Sequence, residues 1–502
     1  MSAELGLNPP QVEEDDISLA RPLQLAWEWH RSRVHLERLA PYLTTLELIA
    51  VSSWALFVTK PLISFDPRVV SAGREYSTII SSNHFWDHLR SCGACALWNG
   101  SEQGGAPALS DPFTSMLHPL VALPTLLFGV NVGARLAVVL AFIMAGLAQW
   151  WLARVLGLGR LASVWSGALM ASAGMLAGSM QNGALGIVLG LASMSVVLPP
   201  LIRVAQTHRR RYAVLLGIAL MLTVLSGNGY IQVGVLFTLP AATLVLLWQR
   251  DHFWEVARLY VLALIIGVLL AAPLLVPLAH FWPNISKGTD PQFNTTQPLP
   301  YVLLNLVIGD PSYYMNDTFH KTPYPYMYVI YVGWIPLLLA AWGLGRGKKG
   351  QARAIAALAL FAFCALWFAS NGPLPWLYQH TSQPNIQGFL AGVRFASLIS
   401  GLAVPAIIAL AAVGVAQLFE LTRHRLALPL SPGADGRPRR FDLRCLLLVP
   451  LLLALVDARN FGSSWITVGR IDDGTLKVLS ELKTPDMQWV DTPFGDHYFI
   501  EP

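Results

Sequence analysis

The feature that most constrains this chain is a long polar segment that follows its first hydrophobic segment. The hydrophobic segment covers about 43–63, and residues 64–131 after it are rich in charged, aromatic, Gly and Pro residues. Beyond that point the chain is mostly apolar. Long loops without regular structure are uncommon unless they carry function. The order of segments therefore predicts a helical membrane protein whose first loop folds and works at one face of the bilayer.

Composition supports a membrane location for most of the chain. Of its 502 residues, 54% are hydrophobic and 13% are charged, whereas soluble domains carry about 25% charged residues. A membrane-spanning helix needs about 20 mostly apolar residues. We predict an all-α polytopic membrane protein with about eleven such helices. The predicted spans are 43–63, 132–153, 161–179, 183–202, 212–226, 230–248, 259–281, 327–345, 354–370, 393–419 and 444–457.

Basic residues set the predicted orientation, because Lys and Arg gather in the cytoplasmic loops of membrane proteins. With the N-terminus inside, most Lys and Arg residues fall in inner segments, for example Arg209, Arg210 and Arg211. The formal net charge of +5 is then explained by topology and not by nucleic-acid binding. We predict a multi-pass protein with a cytoplasmic N-terminus.

Three regions follow from this topology. They are a cytoplasmic tail at 1–42, a transmembrane domain at 43–457 that includes the extracytoplasmic loop 64–131, and an extracytoplasmic tail at 458–502. We expect no cleavable signal peptide, because the first hydrophobic run comes late and is long. Trp, Leu and Arg residues at 17–40 fit either a helix on the inner membrane surface or an ordinary solvated tail.

The long loops lie on one predicted side of the membrane, at 64–131, 282–326, 371–392 and 458–502. Because long loops tend to be functional, we expect that side to carry the activity. Residues 114–130 are apolar but interrupted by Pro, and a full crossing there would turn the later basic loops outward. We therefore predict a re-entrant or interfacial segment.

Two of the four cysteines, Cys92 and Cys95, form a C-x-x-C in the first loop. In an oxidising compartment this pair predicts a local disulfide. A zinc site would need two further ligands, for which His84 and His88 are nearby, but no second C-x-x-C accompanies the first. We therefore favour the disulfide over zinc.

The segment order, with a set of spaced Trp, Gly, Pro and Arg residues, resembles the GT-C superfamily of membrane glycosyltransferases, and within it the bacterial YfhO-like membrane proteins. The likeness covers about 40–460. The chain departs from the family at two places: its first loop has no clear Asp-x-Asp, and residues 227–232 read Gly-Asn-Gly-Tyr-Ile-Gln where Gly-His-x-Gln is frequent in the family. The motifs that carry it are Leu97-Trp98-Asn99, Gly104-Gly105-Ala106-Pro107, Asp111-Pro112, His118-Pro119-Leu120, Leu198-Pro199-Pro200-Leu201, Ser226-Gly227-Asn228 with Gln232, Asn371-Gly372-Pro373-Leu374-Pro375 and Gly392-Val393-Arg394-Phe395.

This resemblance implies a function and a location. The expected reaction moves a sugar from a polyprenyl-phosphate-linked donor to an extracytoplasmic acceptor, a glycolipid or an envelope polymer, at the bacterial inner membrane. The expected partners are membrane lipids, the donor and the acceptor, with no nucleic acid. No cofactor is identified, and a divalent metal ion stays open.

The resemblance also points to Asp66 as the catalytic acid, because it lies just past the first span. Partial desolvation raises the pKa of such a carboxyl toward the range that suits a general base. The alternative is that Asp66 caps a turn, as Asp before Pro often does. Asp87 and Glu75 are the next candidates. Trp86 beside Asp87 could stack on a sugar, although these aromatic residues could equally form a small core of the loop.

Arg394 is the first candidate for the donor phosphate, because a guanidinium offers a fixed fork to phosphate oxygens. The alternative is that it snorkels to the interface or pairs with a loop carboxylate. Arg135 is a weaker candidate, and Trp98 and His118 complete the predicted substrate-binding set. We expect Asp66 and Arg394 to meet the donor in one water-filled cavity.

Two other functions stay open at this stage. A transporter or flippase for a lipid-linked sugar would be expected to show internal repeats and charged residues in broken helices at mid-membrane. The sequence shows no convincing repeat of this kind. A catalytically inactive subunit that keeps the fold is the third possibility, because no clear Asp-x-Asp is present.

Overall fold

The computed structural model describes most of the chain after residue 39. The predicted surface helix at 17–40 lies outside these residues, apart from position 40, as does the Gly104-Gly105 pair. The described residues are 40–73, 75–76, 82–99, 106–248, 252–284, 288–310, 312–313, 328–346, 349–422, 427–429, 440–442, 446–482, 489–491 and 497–499.

Contacts divide the chain into two units, residues 1–49 and residues 50–502. The described part of the first unit is helical and belongs to the helix Ala40–Val58. The second unit holds the remaining helices and the short strands, and it contains both sites discussed below.

Helices account for most of the described residues. In chain order they are α1 Ala40–Val58, α2 Phe85–Cys92, α3 Pro119–Phe128, α4 Val130–Val155, α5 Arg160–Ser172, α6 Gly174–Ser179, α7 Leu185–Thr207, α8 Arg210–Leu225, α9 Gly229–Leu247, α10 Phe253–Phe281, α11 Leu299–Leu304, α12 Trp334–Leu344, α13 Ala352–Phe368, α14 Pro373–His380, α15 Pro384–Ala391, α16 Ala403–Thr422, α17 Leu448–Ser463 and α18 Asp473–Leu482.

The strands are short and form two-stranded antiparallel pairs. They are β1 Val69–Ser71 with β6 Val468–Arg470, β2 Trp98–Asn99 with β3 Ala106–Pro107, β4 Ala427–Pro429 with β5 Arg440–Asp442, and β7 Trp489–Asp491 with β8 His497–Phe499.

Each of the eleven predicted spans overlaps a helix or a run of consecutive helices. Seven helical segments among the described residues are long and apolar enough to cross a membrane, and the remaining predicted spans coincide with helices of 11 to 17 residues. The all-α membrane architecture is confirmed, whereas the number of crossings stays a prediction. The seven are Ala40–Val58, Val130–Val155, Arg160–Asn182, Leu185–Thr207, Gly229–Leu247, Phe253–Asn284 and Ala396–Thr422.

The most buried helices, α7 and α16, form the centre of the helical bundle. A helix that is apolar all round is stable only when protein or lipid covers every face. Small residues let helices approach closely. A Cβ at Gly343 would lie 2.3 Å from the carbonyl oxygen of Leu410, and one at Gly414 would lie 2.1 Å from that of Leu339. These two glycines therefore fix the contact between α12 and α16.

The apolar segment at 114–130 forms only a short helix. Helix α3 has 10 residues, about half of the length that a bilayer crossing requires. It begins at Pro119, where a missing backbone N–H carries no penalty because the first turn has no acceptor for it. This length agrees with the predicted re-entrant or interfacial segment.

The beginning of the first loop contacts the rest of the chain at two places, Val69–Ser71 and Gly73. Strand β1 pairs with β6, so that Val69 lies opposite Arg470. Gly73 has φ +111°, and a Cβ there would lie 2.1 Å from the backbone carbon of Asn182, just before α7. The described residues 64–73 and 75–76 therefore lie on the N-terminal ends of α4 and α7, and the turn before α9 is at the same end of α7. We call this end of the bundle the loop rim.

Candidate active site

Asp66 lies at the loop rim, beyond a single 3-10 turn that follows α1. Its Oδ1 accepts a hydrogen bond of 2.9 Å from the backbone N–H of Arg68, and its Oδ2 lies 3.2 Å from Nε of Arg470. The first contact is the local turn that an Asp before Pro favours. The side chain is 35% exposed, so it also remains open to solvent. Turn formation is therefore observed, and catalysis by Asp66 stays a prediction.

Arg135 lies beneath Asp66, in the second turn of α4. Its Nη2 donates a hydrogen bond of 2.7 Å to the backbone carbonyl of Asp66. The side chain is fully buried, and Nη1 has no hydrogen-bond partner. A buried guanidinium is costly unless an anion or a polar cavity compensates its charge. The Asp66 carboxylate is near enough to act on this charge.

Tyr76 and Asn131 join the loop to the start of α4. The Tyr76 hydroxyl donates to the backbone carbonyl of Asn131 at 3.1 Å, and the Asn131 amide donates to the carbonyl of Val69 at 3.2 Å. Burial raises the pKa of the Tyr76 phenol, and the nearby charge of Arg135 only partly opposes this shift. Tyr76 is therefore a neutral hydrogen-bond donor that holds the loop in place.

A second acid and guanidinium meet next to this cluster, around Tyr230 at the start of α9. The charges of Arg394 and Glu75 both act on the Tyr230 hydroxyl. The ring of Tyr230 packs edge-on against Phe395, with 5.3 Å between centroids, and lies 6.5 Å from the ring of Phe113. Tyr230 is itself buried and Phe395 is half-buried, so these rings form part of the core, and the charges of Glu75 and Arg394 lie close to it.

The loop 288–297 holds Arg394 in position. The backbone N–H of Asp290 donates to the carbonyl of Ala391 at 2.8 Å, and the Thr295 hydroxyl donates to the carbonyl of Arg394. A Cβ at Gly288 would lie 2.8 Å from Nη1 of Arg394, so the backbone of this loop passes close to the guanidinium. The guanidinium carbon is 5.2 Å from the centre of the Phe395 ring, within the range of cation–π attraction.

The structure therefore pairs the predicted residues differently from our expectation. The carboxylate of Asp66 contacts Arg470, the backbone carbonyl of Asp66 accepts a hydrogen bond from Arg135, and Glu75 and Arg394 both lie near Tyr230. The described contacts of Asp66 and Arg394 do not join these two side chains, because the local turn and β6 hold the first and the loop 288–297 holds the second. Since Glu75 and Tyr76 are adjacent, the two groups of charged residues are neighbours at the loop rim.

Sequence reasoning missed Tyr76, Asn131 and Arg470. Nothing local distinguishes Arg470, which meets Asp66 only through the pairing of β1 with β6. Tyr230 was within a segment that the family resemblance singled out, and its position two residues after a helix-capping Asn228 is the signal that would have identified it.

Asp87 and Trp86 belong to a different group in the same loop. The indole N–H of Trp86 donates to the carbonyl of Met116 at 3.0 Å, and its ring packs against Phe85. Asp87 Oδ2 lies 3.8 Å from Nδ1 of His84. Burial, helped by the charge of His88, lowers the pKa of His84 to about 3, so this imidazole is neutral near pH 7. The arrangement fits the alternative that these residues form the loop's own core.

His118 is fully buried and uses both ring nitrogens within the protein. Its Nδ1 accepts the backbone N–H of Leu120 at 3.2 Å, so the proton is on Nε2, which lies 3.1 Å from the hydroxyl of Ser193. Burial lowers the pKa of this imidazole to about 4. His118 therefore caps α3 and joins it to α7. Trp98 is 57% exposed on β2 and makes its strand contact opposite Pro107.

The predicted disulfide is present, since Cys92 and Cys95 are bonded to each other. These sulfurs are therefore not thiolates that could bind zinc. Within the part of the chain that the structure describes, three candidate metal-ligating side chains come together at a single place, which is away from the loop rim. The open possibility of a metal at Asp66 gains no support from these contacts.

Comparison with solved structures identifies the fold. No protein-family model and no curated protein sequence matches this chain. The cryo-EM structure of arabinofuranosyltransferase AftD from Mycobacteria aligns with 87% of the chain at TM-score 0.52 and 17% identity. This chain spans only 28% of the AftD chain's length.

Two further structures align less well. The R1389S mutant of AftD gives a TM-score of 0.45 over 83% of this chain and 28% of its own, at 14% identity. ArnT from Cupriavidus metallidurans, bound to undecaprenyl phosphate, gives 0.36 over 75% of this chain and 79% of its own, at 16% identity. At these sequence identities, structural similarity is evidence for the fold and not for the function. Of these three structures, we infer the fold from the first AftD structure, which has the highest TM-score. The chain is thus an all-α polytopic membrane protein whose fold is similar to that of the aligned part of AftD.

Proposed function

We propose that this protein is a membrane glycosyltransferase that moves a sugar from a polyprenyl-phosphate-linked donor to an acceptor hydroxyl on a glycolipid or an envelope polymer. The proposal places the protein in the bacterial inner membrane, with the N-terminus in the cytoplasm and the loop rim on the opposite face. The relationship to YfhO-like proteins and the boundaries 1–42, 43–457 and 458–502 belong to the same proposal.

The observation that carries it is the presence of carboxylates and guanidinium groups together at one rim of a GT-C-like bundle. The carboxylate of Asp66 contacts Arg470 and lies near the buried Arg135, and Glu75 and Arg394 both lie near Tyr230. A glycosyl phosphate donor needs positive charge for its phosphate and a carboxylate for the incoming hydroxyl. Both kinds of group are supplied here by residues far apart in the sequence.

In the proposed reaction, the Asp66 carboxylate accepts the proton of the acceptor hydroxyl as its oxygen attacks the anomeric carbon. A new C–O bond forms, the bond between that carbon and the phosphate oxygen breaks, and polyprenyl phosphate leaves with the electron pair. Arg394 binds the phosphate through charge-assisted hydrogen bonds, which strengthen as negative charge develops on the leaving oxygen. Glu75 orients Arg394.

Phe395 is the aromatic ring that could receive the sugar. It is half-buried, packs edge-on against the buried Tyr230 and lies next to Arg394, so a pyranose or furanose ring that stacks on it would carry its phosphate toward the guanidinium. Aromatic rings supply such apolar area at a small cost in conformational entropy. Stacking on an aromatic ring does not depend on which sugar is bound, so the proposal covers pyranose and furanose donors alike.

A catalytically inactive subunit is the second candidate, and one observation favours it. The Asp66 carboxylate already contacts the backbone N–H of Arg68 and the side chain of Arg470, which gives it a structural use without catalysis. In that case the loop rim would keep its shape for binding a partner, and substitution of Asp66 would affect assembly instead of transfer.

The decisive experiment compares purified full-length variants reconstituted with a radiolabelled polyprenyl-phosphate sugar and a crude envelope acceptor fraction. Asp66→Asn should abolish transfer of label, whereas Asp111→Asn should not. Asp111 is a matched control, because it also precedes Pro in the first loop and its Oδ1 also accepts the N–H of the residue two positions on, at 2.8 Å.

Equal transfer by wild type and Asp66→Asn, at equal amounts of folded protein, would contradict the proposed base. Loss of transfer in Glu75→Gln but not in Asp66→Asn would identify Glu75 as the base instead of Asp66. A flippase would instead carry label across the vesicle membrane without forming a new glycosidic bond.

A further inference from the structure

A cluster of metal-ligating side chains lies at the end of α7 opposite the loop rim. His208 follows the last residue of α7, His252 precedes α10, and Glu255 lies in the first turn of α10. The Nδ1 atoms of His208 and His252 are 3.4 and 3.3 Å from the same carboxylate oxygen, Oε2 of Glu255. All three ligand atoms lie within 4.8 Å of one another.

The two nitrogen–oxygen distances are longer than hydrogen bonds and match the distance between two ligand atoms bound to the same metal ion. N–H···O hydrogen bonds in proteins cover about 2.7–3.2 Å. A tetrahedral zinc ion with bonds of about 2.0–2.1 Å places its ligand atoms about 3.3–3.4 Å apart. The two distances to Oε2 of Glu255 equal that edge length, and the two histidine nitrogens lie within 4.8 Å of each other, so side-chain rotation alone would bring all three atoms around a small ion.

The second nitrogen of His208 supports the same conclusion. Its Nε2 lies 3.1 Å from the backbone carbonyl of Ala205, which places the proton on Nε2 and leaves the lone pair of Nδ1 directed at the cluster. Metal-ligating histidines almost always donate their other ring N–H to such a carbonyl or carboxylate.

The backbone fixes this arrangement. His208 has φ +54°, a left-handed conformation that few residues other than Gly adopt. Its N–H bonds to the carbonyl of Val204 at 2.9 Å, so the same residue ends α7. His252 and Glu255 are three positions apart, which brings them to one side of the beginning of α10. Their side chains are about half exposed, so an ion can enter from solvent.

We propose that His208, His252 and Glu255 form a binding site for a divalent transition-metal ion, with zinc as the best match. Two imidazole nitrogens and one carboxylate oxygen are a ligand set that zinc accepts, with the fourth position left to water. The ion would join the turn after α7 to the start of α10.

The proposed metal site is separate from the candidate active site. Helix α7 has 23 residues and is therefore about 34 Å long, with Gly183 and Gly73 in contact near its other end. A result at either site therefore leaves the other proposal intact. The chemistry expected of this ion is structural, since the reacting groups of the proposed transfer are at the loop rim.

The test uses the full-length protein in lipid nanodiscs after removal of metal with a chelator. Co²⁺ serves as the probe, because its visible spectrum reports tetrahedral nitrogen and oxygen ligands, and Zn²⁺ is then added in competition. We expect one equivalent of Co²⁺ to bind and one equivalent of Zn²⁺ to displace it. His252→Ala and Glu255→Gln should each weaken binding by at least about tenfold, since even loss of an outer partner costs that much.

His280→Ala is the matched control, because this histidine lies near the opposite end of the same helix. It should bind metal like the wild type. Absence of a stoichiometric Co²⁺ spectrum in the wild type would overturn the proposal, as would unchanged affinity in both His252→Ala and Glu255→Gln. In that case the three side chains interact only with one another.

Discussion

The two parts of the first loop, residues 64–76 and residues 82–99, have similar kinds of residue but different surroundings. The first part is bound to the bundle through β6, Asn131 and the start of α7. The second part packs mainly on itself, around Phe85, Ala96 and Met116. Both contain carboxylates, aromatic rings and glycines with positive φ. What distinguishes them is which distant residues they contact.

This difference separates a site from a supporting structure. In the first part, the carboxylate of Asp66 contacts Arg470, and Glu75 lies near Tyr230, as does Arg394. In the second part, Asp87 contacts a histidine that burial keeps neutral. An acid that faces a fixed positive charge at the rim of a bundle can serve phosphate chemistry, whereas an acid within a small local core mainly stabilises that core.

The largest expected difference between the two parts is in the rate of sugar transfer after the carboxylate of each part is removed. Asp66→Asn should reduce kcat for sugar transfer by about 10² to 10⁴, the range that general base catalysis supplies. Asp87→Asn should change it by less than about twofold, because its contact lies within the loop core. Single-turnover assays with labelled donor measure both. Equal losses in the two variants would remove the proposed distinction between the two parts.

The next effect concerns the guanidinium groups. Arg394→Ala should raise the donor KM by about 10- to 100-fold, because a hydrogen bond to a charged group contributes about 1.5–3 kcal/mol. Arg90→Ala, in the second part, should leave KM unchanged, since Arg90 bonds only to the carbonyl of Leu126 in its described contacts. The KM for a donor analogue without phosphate should not respond to Arg394→Ala. A response there would assign Arg394 to the sugar instead.

Sequence patterns predicted the long helices of the bundle well, because each of them follows from a long apolar run. The region 228–230 shows the limit of this approach. Its turn was evident from two glycines, but the contact of Tyr230 with Phe395 depends on how α9 packs against the chain after α15. Helix packing of this kind is a tertiary property that no local pattern contains.

The candidate site was predictable in its residue types but not in its pairings. Asp66, Glu75, Arg135 and Arg394 all lie at the loop rim, as the topology suggested. Which acid meets which guanidinium depends on the pairing of β1 with β6, between segments about 400 positions apart in the chain. Interactions of such range carry no signal in a single sequence, and Arg470 was missed for this reason.

A pair of glycines tests the same comparison through stability. Gly73 and Gly93 both have positive φ, +111° and +63°, but a Cβ at Gly73 would lie 2.1 Å from Asn182, whereas one at Gly93 would meet nothing within 4 Å. Gly93→Ala should cost about 1–3 kcal/mol, because φ +63° with ψ −118° is a backbone conformation that L residues rarely adopt. Gly73→Ala should cost about 3 kcal/mol or more, because the loop must also move away from α7.

The measurement for both is the midpoint of thermal unfolding in nanodiscs, followed by limited proteolysis of the loop. Gly73→Ala should expose 64–76 to protease, and Gly93→Ala should not. If the two variants lose the same stability, the close contact between the loop and α7 contributes little, and the first part would be no more firmly held than the second.

The smallest expected effect is a pH dependence confined to the second part of the loop. Burial lowers the pKa of His84 to about 3, below its usual value of about 6.5. The unfolded loop therefore binds more protons than the folded loop between these two values, so stability is complete above pH 6.5 and falls as the pH drops. The slope is at most about 1.4 kcal/mol per pH unit for one group.

Hydrogen exchange at residues 82–99, corrected for the intrinsic rate at each pH, measures this slope between pH 6.5 and 4.5. His84→Asn cannot titrate and should flatten it, whereas His380→Asn, a histidine on α14, should not. The first part, 64–76, has no histidine, so its exchange should show no comparable slope over this interval. An equal slope in both parts would mean that the loop opens as one unit, and the two parts would then share their stability although they differ in their contacts.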